Sequence, residues 1–542
     1  MSRVQFGYEA IASALVDAGI DTLFGVMGDG NMDLIGHWTH DRALRYVAAR
    51  HESGAVAMAS AYASVTAGPG ACTVTQGPGL TNALTALTTA AKARASIILI
   101  SGDVPVGRRR HDEQAVDQPG VIAPSGALFV DLDSATDART ALDQAIRVRG
   151  RPVVLNAGTD VQRSPWHAVT RVTPPPAADV SLDDAAVREV AERLVDARRP
   201  VLLAGRGAVR SGARAAITLL AEHLGAVLVT SLKAKDLFLG HPLNAGIAGG
   251  FAAPPVRAML GGADCLVAFG AGLNAATMMD GRLFPQAWLA HCDLAASAIG
   301  TNTTVDTALV GDARVVAEAL LDAVIRVDTG ARPGRAEIEA AVARSLADSW
   351  PAGTRSTAQR ALAILDEVLP RDRTLVLDAG HFMGYASTSL AVPAPDFFVW
   401  TADFGSIGLG LGAAVGAAYA RPDRPTVLLV GDGGLSMGLP ELETIGRYRL
   451  PVLVVVLNDG AYGAEVHLLR HRGWPAQTAL FDNPDFTLLA EALGIRAVRA
   501  QAPFDGLRRL AGYDLARDGP LLVDVRLPFD EVADWFAARM LG

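Results

Sequence analysis

The segment PTVLLVGDGGLSMGLPELETIGRYRLPVLVVVLNDGAYG, residues 425–463, constrains the fold more than any other part of this chain. Two unbroken apolar runs, 426–430 and 452–457, read as strands buried on both faces, as strands of a parallel sheet do. Between them a helix is expected to open near Pro440, a residue suited to the first helical turn, and to close near Leu450-Pro451. Strand, crossover helix and strand form a right-handed parallel unit. Both strands then finish on the same sheet edge, where open α/β sheets bind ligands. The first strand runs into Gly431-Asp432-Gly433-Gly434 and the second into Asn458-Asp459. Asp432 and Asp459, 27 positions apart, are therefore expected to be neighbours in space. Two carboxylates beside a Gly-rich turn suit a hard cation such as Mg²⁺, which also takes phosphate oxygens. The glycines let a diphosphate approach the backbone, and free N–H groups at a helix start favour an anion. The plainer reading is a strand-end turn with Asp432 as a helix cap.

The same alternation of short β-rich runs and helical patterns recurs along the chain. The reading is an α/β protein of three doubly wound parallel-sheet domains, within the three or four expected of 542 residues at about 150 per domain. The first domain covers 1–170, with a helix near 8–18 and strands near 46–49, 72–75 and 97–101. The second covers 185–330, with strands near 200–205, 226–230, 265–269 and 288–292. The third covers 355–542, with further strands near 374–377 and 521–525. Pro-rich and polar stretches at 172–184 and 328–337 read as linkers. The first and third domains share a coarse plan. A net charge of −9 argues against a general nucleic-acid binder. No run of 18 apolar residues occurs, so no membrane span is expected. Cys72, Cys265 and Cys292 make neither a metal spacing nor a disulfide framework, and a cytoplasmic location is expected.

The GDG…N-D pattern resembles the fingerprint of thiamine diphosphate enzymes, with Asp459 where the family carries Asn. That resemblance implies thiamine diphosphate and Mg²⁺ as cofactors, with Asp432, Asp459 and the Ala461 carbonyl as metal ligands. It extends, in acetolactate synthase-like form, through most of the chain. RHESGAVAMASAYASVTAGPGACTVTQGPGLTN (50–82) resembles the pyrimidine-binding domain. Glu52 falls on the family's catalytic glutamate, a carboxylic acid that promotes the imino form of the cofactor's aminopyrimidine, and Asn82 lies on the same binding loop. TADFGSIGLGLGAAVGAA (401–418) resembles the loop that grips the pyrimidine. Gly405 there would offer its carbonyl to the exocyclic amine, beside Ser406, and Ile407 would be the wedge holding the cofactor bent. LDAGHFMGYAS (377–387) takes the position of a diphosphate-side loop, with Gly380 and His381 as contacts beside Gly431, Gly433 and Gly434.

Two branches of the family are mixed here. FGVMGD (24–29) is similar to a segment of pyruvate decarboxylase-type enzymes and makes Asp29 an active-site acid. Glu465, six residues past Asp459, matches their active-site glutamate. Two acids near the reacting carbon favour protonation and aldehyde release. Their adjacent histidine pair is absent, with only His111 in RRRHDEQAVD. EQAVD (113–117) instead aligns with the synthases' glutamine segment, giving Gln114, while Ala464 and Leu468 replace their usual Met and Trp. The middle domain resembles one that binds FAD in some synthases. Gly272 and IAGG (247–250) depart from the flavin-binding pattern, so an empty domain and a FAD site both stay open.

The reading is an acetolactate synthase-like carboligase that decarboxylates a 2-oxo acid and transfers the acyl carbanion to a second carbonyl compound. A non-oxidative 2-oxo acid decarboxylase is the alternative. A hydrolytic carbon–carbon lyase and a non-catalytic protein on the same fold complete the set. The resemblance also implies a homodimer or homotetramer with shared active sites, Glu52 of one chain facing Asp432 and Ile407 of its partner.

Overall fold

A computed structural model describes residues 5–40, 44–132, 141, 144–145, 147–166, 182–327, 335–349 and 355–541. Its framework is three six-stranded sheets whose strand pairs are all parallel. The first contains β1 (Thr22–Gly25), β2 (Arg45–Ala48), β3 (Gly70–Val74), β4 (Ile97–Asp103), β5 (Leu128–Leu132) and β6 (Val153–Gly158), in the order β2-β1-β3-β4-β6-β5. The second contains β7 (Pro200–Ala204), β8 (Val227–Thr230), β9 (Asn244–Ile247), β10 (Cys265–Phe269), β11 (Trp288–Asp293) and β12 (Thr307–Val310), in the order β9-β8-β7-β10-β11-β12. The third contains β13 (Thr374–Leu377), β14 (Phe398–Trp400), β15 (Thr426–Gly431), β16 (Val452–Asn458), β17 (Arg496–Ala500) and β18 (Leu521–Arg526), in the order β14-β13-β15-β16-β18-β17. The first and third sheets thus have one topology, and the middle sheet another. All three of the shapes expected from the alternating pattern are doubly wound α/β sheets.

The first and third sheets are locked together by α1 (Glu52–Thr66) and α2 (Gly410–Ala420), which lie side by side. Small residues make this possible. A Cβ at Gly416 would sit 2.0 Å from the Met58 carbonyl oxygen, and one at Gly412 would sit 2.9 Å from that of Gly54. The backbones therefore touch, and one apolar cluster runs from Phe24 and Leu99 through both helices to Leu428 and Val454. Interiors this dense do not absorb added methylenes.

Three expectations change. The chain is already helical directly after the GDG strand: α3 (Asp432–Gly438) precedes α4 (Pro440–Arg447), so Pro440 starts a second helix and not the first. Gly431 in extended conformation caps α3, and the three glycines of this short helix let it begin inside the site. The second helix stops at Arg447 because Tyr448 already caps it. Most of the expected linkers lies outside the described residues, but residues 335–337 of the second open a helix, Arg335–Ala347. No helix among the described residues is long and apolar enough to cross a membrane.

Candidate active site

Four consecutive strand ends of the third sheet build one wall of a cavity of about 1360 Å³. β13 delivers Gly380 and His381, and β14 delivers Gly405 and Ile407. β15 delivers Gly431 to Gly434, and β16 delivers Asp459, Ala461 and, on α5 (Gly463–His471), Glu465. Ser406 does not line this cavity; its Oγ lies 3.3 Å from Thr89 Oγ1. Gly405 has φ +77°, a conformation that L side chains rarely adopt, and faces open space.

Asp432 and Asp459 meet as the strand ends require. Asp432 is buried, and burial raises its carboxyl above the usual range. Asp459 is raised further, by burial first and then by the Asp432 charge beside it. The Ala461 amide hydrogen-bonds to both carboxylates. Asn483, a residue the sequence did not single out, donates from Nδ2 to Asp432 Oδ2 and, at 3.3 Å, to Asn458 Oδ1. Two like charges buried together are costly unless protonated or bridged by a cation. Among the described residues no three His, Cys, Asp or Glu side chains converge. The arrangement is therefore a two-carboxylate site, open to phosphate oxygens and backbone donors. The cradle beside it has no room to spare: a Cβ at Gly433 would meet Tyr462 at 2.7 Å, and one at Gly431 would meet Phe382 at 3.1 Å.

His381 Nε2 lies 3.9 Å from Asp459 Oδ2. Burial, then the nearby His467, pushes its pKa down to about 4, so it is neutral at pH 7. The Trp535 indole N–H donates to the His381 carbonyl at 2.6 Å and fixes this loop to the C-terminal segment.

Asp378 carries a role the sequence did not signal. It is fully buried just behind Gly380. Its Oδ2 accepts the Gly408 N–H at 2.9 Å and its Oδ1 the Thr401 hydroxyl at 3.1 Å. The Ala379 and Gly410 amides add to this, yet burial still lifts its pKa to about 6. A Cβ at Gly434 would touch its Oδ2 at 2.6 Å. One carboxylate thus ties together the loops after β13, β14 and β15.

The other expected residues gather at the C-terminal edge of the first sheet. Glu52 begins α1, and its Oε2 accepts from Asn82 Nδ2 at 3.0 Å. Asp29 sits in a short 3₁₀ turn after β1, ion-paired at 3.7 Å with Arg163. Gln114 accepts at 2.7 Å from Gln76, a further residue not foreseen, which lies against Gly30. None of Asp29, Glu52, Asn82 or Gln114 lines the cavity of its own chain that holds Asp432. Buried Glu441 connects the two halves. It accepts the Arg50 and His51 backbone N–H groups at 3.0 Å each and so fixes the chain entering Glu52.

The arrangement resembles known proteins over its whole length. The N-terminal thiamine pyrophosphate-binding domain of thiamine pyrophosphate enzymes matches residues 6–121, their central domain residues 187–320 and their C-terminal thiamine pyrophosphate-binding domain residues 378–525. A probable 2-ketoarginine decarboxylase of Pseudomonas aeruginosa is 32% identical, over 96% of this chain and 93% of that protein. A probable acetolactate synthase large subunit of Methanocaldococcus jannaschii is 27% identical, over 96% and 91%. The acetolactate synthase isozyme 3 large subunit of Escherichia coli is 27% identical, over 92% and 90%. With all three domains matched along the chain, it belongs to the thiamine pyrophosphate enzyme family, in its acetolactate synthase-like part.

Proposed function

We propose that this protein is a thiamine diphosphate- and Mg²⁺-dependent carboligase of the acetolactate synthase type. The observation that carries the reading is the buried Asp432–Asp459 pair at adjoining strand ends, beside glycines with no space for a Cβ. These residues fit a magnesium–diphosphate unit. Asp432, Asp459 and the Ala461 carbonyl would hold the metal. Gly380, His381, Gly431, Gly433 and Gly434 would surround the phosphates, and Gly405 and Ile407 the pyrimidine side. When bound, thiamine diphosphate supplies a carbon nucleophile and an electron sink for decarboxylation.

The rest falls to the chain's own residues. Glu52 holds and returns a proton at the pyrimidine nitrogen. Neutral His381 donates without adding charge. The C1–C2 bond of the 2-oxo acid breaks to release carbon dioxide, and the electron pair left on C2 forms a bond to the carbonyl carbon of the acceptor, whose oxygen takes a proton. That Glu52, Asn82, Asp29 and Gln114 do not line their own chain's cavity supports a site completed by a second protomer. A homodimer or homotetramer with shared sites follows, with exposed Met437, Phe404 and Trp474 as apolar surface available for it. The three cysteines are free and buried, in keeping with a cytoplasmic enzyme. FAD is left out of the proposed set. Decarboxylation and carbon–carbon bond formation need no flavin, since no electrons leave the substrates.

The second reading, a 2-oxo acid decarboxylase, is favoured by Glu465, an acid on the cavity wall that could protonate C2 and release aldehyde. Product analysis decides between them. Pyruvate and bulkier 2-oxo acids should yield a new carbon–carbon bond; free aldehyde alone overturns the carboligase reading.

Asp378 gives a pH-dependent expectation. Asp378→Asn should weaken cofactor binding by about 10-fold, as a buried N–H loses its acceptor. The folded protein holds the Asp378 proton more tightly than the unfolded chain does. Its contribution to stability without cofactor therefore rises as pH falls from about 6 towards the usual carboxylate range. Cofactor affinity should fall over the same range, because a protonated Asp378 no longer accepts at both oxygens. Titration of thiamine diphosphate at several pH values checks this: the wild type should weaken below pH 6 and the Asn variant should not change.

A further inference from the structure

The cavity does not end at the cofactor-facing loops. It continues to the C-terminal edge of the middle sheet, and one stretch of its wall is strongly cationic. Arg206 and Arg210 come from the helix Arg206–Arg210 after β7, Lys233 from the turn Leu232–Ala234 after β8, and Lys92 and Arg94 from the first domain. Two carboxylates oppose them: Asp403 pairs with Lys233, and Asp396 faces Arg210. Arg206 spends one N–H on the Ala93 carbonyl at 2.5 Å, and Lys92 lies 5.5 Å over the Phe404 ring. Burial, then the neighbouring Arg210, pulls Arg206 down to about 10, and burial lowers Lys233 and Arg210 as well. Three positive charges are left without a counterion in a partly desolvated wall, which is costly until an anion arrives.

The wall also reaches the loop after β14 that is proposed to hold the pyrimidine. Lys233 binds Asp403, only two residues before Gly405. The carboxylate that leaves as carbon dioxide is a poor occupant. Cations holding it would stabilise the ground state more than the transition state, in which its charge is being lost. A group that keeps its charge throughout the reaction suits these guanidinium groups, which bind carboxylate or phosphate oxygens two at a time. Resting on the 2-oxo acid reading above, we propose that the donor substrate carries a second, distal anionic group that docks on Arg94 and Arg206, beside the ion-paired Lys233 and Arg210. The enzyme then selects dianionic 2-oxo acids over neutral ones and disfavours those with a cationic tail.

The test is carbon dioxide release by the full chain with thiamine diphosphate and Mg²⁺. Three five-carbon-chain donors serve as probes: 2-oxoglutarate, 2-oxopentanoate and 2-oxo-5-guanidinopentanoate. The expected kcat/KM for the dianion exceeds that for the neutral acid by about 10-fold or more, the gain lying mainly in KM, with the guanidino acid last. Arg210→Glu, which replaces a positive charge at the edge of this wall by a negative one, should shrink the preference for the dianion over the guanidino acid by about 10-fold or more. Should that variant fail to fold, the wild-type ranking decides alone. Turnover of the neutral or cationic donor as fast as the dianion, with carbon dioxide released, overturns the distal-anion proposal and leaves the reaction class standing. No carbon dioxide from any 2-oxo acid overturns the reaction class, and with it the proposal.

Discussion

Glu52→Gln is expected to lower kcat by about 10²–10⁴-fold, the usual worth of a positioned acid–base group, while thiamine diphosphate affinity changes by no more than about 3-fold. The replacement keeps the shape that Asn82 and Glu441 hold in position but cannot pass a proton to the pyrimidine nitrogen. A plain structural loss would not mimic this result, because the helix start is also anchored by the Ser53 hydroxyl on the Asn82 carbonyl at 2.6 Å. Stopped-flow turnover and cofactor titration measure the two quantities separately. Full turnover by the variant would exclude the tautomer mechanism. Mixing Glu52→Gln chains with Asp432→Ala chains extends the test to the assembly. If sites are shared between protomers, each mixed dimer has one intact site, and random mixing restores about a quarter of wild-type activity. If each chain builds its own site, nothing is restored.

The parts of the fold legible in the sequence are those buried on both faces. β10, β13, β15 and β16 read as unbroken apolar runs, and their observed limits differ from the expected ones by at most one residue. Burial is not enough by itself, because β1 and β6 are buried throughout and were missed, as were β9 and β12. β5 and β17 flank their sheets, are only partly buried and carry Asp131, Arg496 and Arg499, so no continuous run marks them. β14 has three residues, too few for any period. Loop motifs were legible because spacing alone carries Asp432 and Asp459 to neighbouring strand ends. Asp378, Gln76, Glu441 and Asn483 were not. Each acts through a contact with a loop far away in sequence, such as Asn483 with Asp432 across 51 positions, and no local pattern announces it. What faces Asp432 across a protomer boundary is a property of two surfaces, which one chain's periodicity does not encode.

Asp432→Ala is expected to raise the dissociation constant for thiamine diphosphate in Mg²⁺ by about 100-fold or more. Removing groups that merely support a metal ligand already costs about 10–100-fold, and here the ligand itself goes. Asp459→Asn should behave in the opposite way. An amide oxygen can still reach the cation, and the substitution relieves the repulsion that lifts the Asp459 carboxyl beside Asp432. Without metal the Asn variant should therefore be more stable than the wild type above neutral pH, where the wild-type pair must hold two adjacent buried charges. With metal the wild type regains its advantage, since two carboxylates neutralise Mg²⁺ better than one. Calorimetric titration of the cofactor with Mg²⁺ and with a chelator, together with thermal melts of both variants, measures each effect. Cofactor affinity that survives Asp432→Ala and does not respond to the chelator would show that the two strand-end carboxylates hold no metal. Glu52 would then have no diphosphate-anchored partner to act upon.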